Sequence, residues 1–262
     1  MDLQLKGKRV LVTGSTAGIG FAAARAFAVE GASVVINGRK QDRVDSAIAQ
    51  IRKSQPGAEL TGIAADVSNG AGCAKLIQTV PDVDILVNNM GIFEPKPFEK
   101  IPDEDWLRFF EANVMSGVRL SRHYLPSMRR RSWGRILFVS SESGVQIPVE
   151  MIHYGMTKTA QIAIARGLAE SVVGTGITVN SILPGPTRSE GVETFVAQMG
   201  GGGDSAVFEA EFFKSVRPSS LLKRFATVEE VASTIVYLCS PLASATTGAA
   251  VRADGGVVRA IL

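Results

Sequence analysis

Arg9-Val10-Leu11-Val12-Thr13-Gly14-Ser15-Thr16-Ala17-Gly18-Ile19-Gly20 is the stretch whose reading decides the fold. Its first half is a short apolar run without polar alternation, the pattern of a strand buried on both faces. Its second half is a glycine turn that opens onto a helical pattern over Ile19–Glu30. Strand, glycine turn and helix in that order give the turn its meaning. Glycines at 14, 18 and 20 permit a tight turn, close approach of backbone to a phosphate, and packing of the helix near the strand. The helix N-terminus presents free N–H groups and a positive dipole end to a pyrophosphate. Ser15 and Thr16 add hydroxyl donors. The spacing is G-x-x-x-G-x-G, not G-x-G-x-x-G, and a glycine turn without a ligand is the competing reading. The nucleotide contacts expected here are Gly14, Ser15, Thr16, Gly18, Ile19 and Gly20.

Outward from this turn the pattern repeats. Apolar runs at Arg9–Thr13, Ser33–Asn37, Leu60–Ala64, Asp84–Asn88, Arg135–Ser140, Thr178–Leu183 and Ala249–Ala253 alternate with helical stretches such as Gln41–Ser54, Asp103–Arg131, Met151–Val173 and Thr227–Cys239. This alternation predicts right-handed crossovers. The expected fold is α/β: a single-domain Rossmann fold over residues 1–262, a doubly wound, seven-stranded parallel sheet with helices on both faces. One excursion, at about 186–220, breaks the rhythm and includes Gly200-Gly201-Gly202-Gly203. It leaves the carboxyl end of a strand, where such sheets bind ligands, and reads as a flap over the crevice, against a plain surface insertion.

Composition narrows the class. A hydrophobic fraction of 45% against 20% charged residues supports a large core and argues against disorder. A net charge of +3 is scattered apart from Arg129-Arg130-Arg131, which reads as the solvated last turn of a helix, where cations suit the dipole, and not as a nucleic-acid patch. Cys73 and Cys239 have no metal-type or redox spacing, and no metal site is expected. No leader pattern precedes the first strand, and no apolar stretch reaches the ~20 residues of a membrane helix, so the expectation is a cytoplasmic protein that does not span a membrane.

The end of the second strand bears on cofactor choice. A carboxylate there would bind adenosine ribose hydroxyls, but the chain reads Asn37-Gly38-Arg39-Lys40. A guanidinium at Arg39, assisted by Lys40, suits a 2′-phosphate, which favours NADP(H) over NAD(H). The alternative is that both are surface cations. Asp66-Val67 would border the adenine, and Asn89 and Gly91 within Asn88–Gly91 would pass close to a ribose.

Tyr154 and Lys158 lie four apart on a helix and so share a face. A free phenol has a pKa near ~10, and lowering it by ~3 requires about 4 kcal/mol of preferential stabilisation of the phenolate. One ammonium plus an oxidised nicotinamide in a partly dry cleft can supply that. Ser140 and Ser141 deliver a hydroxyl at the carboxyl edge of the sheet, where a substrate oxygen can be held beside the phenol. Asn113 is an amide inside an otherwise apolar helix.

In these residues the sequence resembles the short-chain dehydrogenase/reductase family, and the resemblance runs essentially the whole chain. The family's glycine segment is similar to Thr13–Gly20, its N-N-x-G to Asn88–Gly91 and its Y-x-x-x-K to Tyr154–Lys158. The interval to Tyr154 selects Ser141 over Ser140. Asn113 falls at the family's catalytic asparagine, Pro184-Gly185 and Thr187 at the turn beside the nicotinamide, and Asp254-Gly255-Gly256 at a C-terminal signature. The resemblance implies that Tyr154 acts as general acid in carbonyl reduction and base in alcohol oxidation. It implies that Lys158 lowers the phenol pKa and binds the nicotinamide ribose, that Ser141 orients the substrate oxygen, and that Asn113 helps hold a water in a proton relay. Gly38 stands where NAD-preferring members carry an acid. Met90 replaces a commoner alanine. Glu142 after the serine reads as a solvated loop residue in preference to a substrate contact, and His153 as structural.

The expected activity is that of an NADP(H)-dependent carbonyl reductase or alcohol dehydrogenase acting on a small carbonyl or alcohol. Members reducing 3-oxoacyl thioesters, such as 3-oxoacyl-[acyl-carrier-protein] reductases, are nearest in length and motif set. A catalytically silent dinucleotide sensor is the alternative. Val145, Ile147, Pro148, Val149, Phe195, Phe208 and Phe212 suggest an apolar or mixed substrate pocket. The helix after Lys158 is apolar almost all round, and the tail from Val257 adds apolar surface, which points to a second subunit. Family members pair equivalent helices, so a homotetramer is expected, with a homodimer as runner-up.

Overall fold

The computed structural model describes residues 1–190 and 205–261. Seven parallel strands form one sheet: β1 (Arg9–Val12), β2 (Ser33–Gly38), β3 (Leu60–Ala64), β4 (Ile85–Asn88), β5 (Gly134–Val139), β6 (Ile177–Pro184) and β7 (Ala250–Ala253), in the order β3-β2-β1-β4-β5-β6-β7. Each strand lies within one residue of its expected bounds. The order reverses direction between β1 and β4, and the ligand crevice of a doubly wound sheet opens outside the strand tips at such a point.

Both faces are covered, which is why the strands lack polar alternation. Val10 and Val12 of β1 and Val34 and Ile36 of β2 face a core shared with α1 (Gly18–Val29), α2 (Gln41–Ser54) and, near the C-terminus, the helix Val228–Leu238. Leu11, Val35 and Leu86 face the other way, into a core with α3 (Gly70–Thr79) and two longer helices, Ser116–Arg131 and Ile152–Ser171. Asn69 caps α3 by accepting from the Gly72 amide, a start that its glycine-rich first turn needs.

The helical stretch expected over Asp103–Arg131 is three segments. α4 (Asp103–Phe110) passes into a π-helical turn at Glu111–Met115 and then into α5 (Ser116–Arg131). Arg129–Arg131 close α5, where Arg131 pairs with Asp82 and donates to Val83 O at 2.7 Å, as a solvated helix end should. α6 (Ile152–Ser171) carries Tyr154 and Lys158. Within the expected excursion a helix forms, α7 (Ser205–Ser215), and α8 (Val228–Leu238) follows with a full capping box between Thr227 and Glu230. Gly200–Gly203, named above within the excursion, and Phe195, named above for the substrate pocket, lie outside the described residues. Both cysteines are free and buried. Among the described residues no helix is long and apolar enough to cross a membrane.

Candidate active site

The turn after β1 is shaped by backbone conformation and by two amides. Gly14 and Gly18 adopt φ of 61° and 57°, the left-handed region that an L side chain resists. Asn37, from the end of β2, accepts from the Gly14 amide at 3.3 Å and donates to Ile63 O and Ala65 O. Asn89 donates to Thr13 O at 2.9 Å and to Gly14 O at 3.1 Å. α1 begins at Gly18, after Ala17, whose side chain cannot cap the first N–H groups of the helix. That leaves them for an anion, as a dinucleotide pyrophosphate requires.

A cleft of about 430 Å³ runs from this turn along the tips of β2, β3 and β4. Gly14, Thr16, Arg39, Asp66, Val67 and Asn89 line it, with Gly91. A second hollow of about 260 Å³ continues it and brings together Ile19, Gly20, Asn89, Gly91, Pro184, Gly185 and Thr187 with Ser141, Tyr154 and Lys158. Three expected contacts, Ser15, Gly18 and Lys40, line neither hollow; Gly18 shapes the turn through its left-handed backbone. Ser15 is fully buried, and its Oγ donates to Val12 O at 2.7 Å and accepts from the Asn37 amide at 2.9 Å, so it ties β1 to β2. Lys40 precedes α2 and does not line the cleft, whereas the adjacent Arg39 does. The glycine turn, the uncapped helix and the long cleft fit a nicotinamide dinucleotide.

At the junction of the hollows, Ser141 follows β5 and Tyr154 stands in the first turn of α6. The Ser141 hydroxyl lies beside the Tyr154 phenol, where it favours the phenolate, and accepts from the Ser143 amide at 3.1 Å. Lys158 is nearly buried; its Nζ donates to Val139 O at 2.9 Å and Gln161 Oε1 at 3.2 Å, and lies 5.5 Å from the centre of the Tyr154 ring. Burial pushes the Lys158 pKa down from 10.5 to about 7. Burial pushes the Tyr154 phenol up; the Ser141 hydroxyl opposes the rise and the Glu142 charge adds to it. Desolvation of the phenolate is the largest influence on Tyr154, and burial likewise disfavours the charged form of Lys158.

Asn113 sits in the π turn, where one extra residue per turn moves its side chain out of helical register. Its Oδ1 accepts from the Ile92 amide at 2.7 Å, and its Nδ2 donates to Ile92 O and Thr157 Oγ1, each at 3.0 Å. Its backbone carbonyl accepts from Gln161 Nε2 at 2.6 Å. Gln161 therefore joins Asn113 to Lys158, a link the sequence reading missed. A lone amide three residues after Lys158 in an apolar helix was the available signal. His153 is buried against Phe109 at 4.0 Å between ring centres, as a structural residue should be. Glu142, expected in solvent, is 3% exposed and paired with Arg217, because the chain following α7 folds back over it.

A seven-stranded parallel sheet with a glycine turn at its switch point and a Ser-Tyr-Lys group beside it defines a dinucleotide-dependent oxidoreductase. The family model described as enoyl-(acyl carrier protein) reductase matches residues 14–258, and the chain belongs to the short-chain dehydrogenase/reductase family. It is 51% identical to the uncharacterized oxidoreductase YvrD of Bacillus subtilis (strain 168) over the full length of both chains. It is 31% identical to the 3-oxoacyl-[acyl-carrier-protein] reductase FabG of Aquifex aeolicus (strain VF5), over 98% of this chain and all of the relative. Its fold superposes on L-sorbose reductase from Gluconobacter frateurii, solved in complex with NADPH and L-sorbose, with a TM-score of 0.92 at 32% identity over all of both chains. The chain is an oxidoreductase that transfers hydride between a nicotinamide dinucleotide and a small molecule.

Proposed function

We propose that the chain is one oxidoreductase domain that reduces a ketone or aldehyde, or oxidises the matching alcohol, with NADP(H) in preference to NAD(H). The observation that carries this reading is the convergence of Ser141, Tyr154 and Lys158 on the hollow lined by Gly91 and Gly185. When bound, the reduced dinucleotide supplies the hydride. Ser141 and Tyr154 hold the carbonyl oxygen between two hydroxyls, and Tyr154 donates its proton to that oxygen as the alcohol forms. A phenol that burial keeps protonated suits the reductive direction. Lys158, with a pKa near neutrality, returns a proton to Tyr154 and would hold the nicotinamide ribose when the dinucleotide is bound. Asn113 and Gln161 position Lys158.

The preference for NADP(H) is supported by Arg39 at the cleft and by Gly38. A Cβ at position 38 would lie 2.5 Å from Thr16 Cγ2, so an acidic side chain there would displace Thr16. Exposed Leu107 and Phe110 on α4 support self-association, which we read as a tetramer, with a dimer as the alternative; light scattering measures it.

NADPH oxidation with a panel of ketones, comparing the parent chain with Tyr154→Phe, tests the chemistry. The variant should bind NADPH within about twofold of the parent and lose 10²–10⁴-fold in turnover, the usual worth of a general acid. Undiminished turnover would remove the phenol from the mechanism. Binding without turnover in either protein would favour a silent sensor.

A further inference from the structure

Beyond Tyr154 the crevice continues into a third hollow, of about 130 Å³. One wall is apolar, formed by Phe93, Met151, Phe212, Val216 and Phe225. The other wall carries charge that the mechanism above does not use. Glu142, next to Ser141, accepts from Arg217 Nε at 2.9 Å through Oε1, and Arg217 Nη1 donates to Glu150 Oε1 at 3.0 Å. Glu142, Glu150 and Arg217 all line this hollow.

Two features of this wall point to a ligand. First, Glu142 Oε2 is buried and, among the described residues, meets no donor in hydrogen-bond geometry; the Ser143 hydroxyl lies beside the carboxylate and opposes the rise in its pKa. A buried acceptor left this way is costly, and a donor on a bound molecule relieves it. Second, two carboxylates face one guanidinium, so the group carries a net charge of about −1 when both acids are ionised. This charge repels a carboxylate or phosphate on the substrate. A hydroxyl brings a donor and no charge.

We propose that the substrate is an uncharged hydroxy-ketone or hydroxy-aldehyde, with the corresponding polyol in the reverse direction, whose hydroxyl beside the carbonyl donates to Glu142 Oε2. This rests on the reading given under Proposed function and names its substrate class. The carbonyl oxygen lies between Ser141 and Tyr154, the neighbouring hydroxyl faces Glu142, and the C–H face packs on the Phe93 and Met151 side. Arg217 is a positioning residue that fixes Oε1 and so leaves Oε2 to the substrate. The chemistry balances as an ordinary carbonyl reduction: hydride adds to carbon, the Tyr154 proton adds to oxygen, and Glu142 only accepts a hydrogen bond.

The test measures kcat/KM of the full chain with NADPH for hydroxyacetone, acetone, aminoacetone and acetoacetate. Hydroxyacetone should exceed acetone by at least about tenfold, which is about 1.4 kcal/mol, and acetoacetate should be the poorest. Glu142→Gln places an amide donor where the acceptor was, and it should bring the hydroxyacetone-to-acetone ratio down to about one. The ratio is measured within one protein, so partial loss of folded enzyme cancels. If the variant does not fold, the ratio in the parent chain decides. Equal use of acetone and hydroxyacetone by the parent, an unchanged ratio in the variant, or a preference for aminoacetone would each overturn the inference while leaving carbonyl reduction standing. Failure to reduce any of the four would overturn both readings.

Discussion

Replacing Lys158 by methionine keeps most of the side-chain volume and removes a buried ammonium. Burial lowers the Lys158 pKa from 10.5 to about 7 in the folded chain. At 1.36 kcal/mol per pH unit this fall is worth about 5 kcal/mol of native-state penalty for the charged form. The hydrogen bonds to Val139 O and Gln161 Oε1 act in the opposite direction, so this is an upper bound. The sign follows from proton counting. Below pH ~7 the lysine is charged in both states and the penalty is fully present. Between ~7 and ~10.5 the unfolded chain holds the proton and the folded chain does not, so stability rises with pH. Urea unfolding of the parent and Lys158→Met from pH ~6 to ~10, without dinucleotide, isolates this group because the other titrating groups are common to both. The parent should gain on the variant by up to about 4 kcal/mol across that window. Stability curves that stay parallel within ~0.5 kcal/mol would show that the buried acceptors fully compensate the ammonium, and the assignment of Lys158 as a proton donor near neutral pH would fall with them.

Two further outcomes follow from the site. Arg39→Ala should weaken NADPH by about 10- to 100-fold, the range for a charge-assisted hydrogen-bond pair, while NADH changes little; fluorescence titration measures both, and equal losses would defeat the phosphate assignment. Gln161→Leu leaves the Asn113 carbonyl and one bond of Lys158 without their partner inside the fold, so chemical denaturation should show a loss of about 2–4 kcal/mol. Gln161→Glu, which restores an acceptor for Lys158, should recover turnover more than stability. An unaltered midpoint in Gln161→Leu would refute the bridging role.

Local sequence determined the architecture. Seven apolar runs and the helices between them are visible because a strand covered on both faces needs no polar residue, and a helix covering it needs a stripe. The glycine turn and the Tyr154–Lys158 pair are equally local, since both depend on spacing of a few residues along one element. Tertiary structure decided everything that joins distant positions. Ser15 reads as a phosphate ligand until β2 brings Asn37, 22 residues away, against its hydroxyl. Asn113 gains its role from a π turn, and the interval that places its carbonyl against Gln161 spans 48 residues. Glu142 reads as a solvated loop acid because its partner Arg217 lies 75 residues along the chain, and only folding of the segment after α7 buries the two together. A sequence reports which side chains an element presents, but desolvation and charge pairing depend on what packs against them, and that fixes which acids and bases at this site keep their protons.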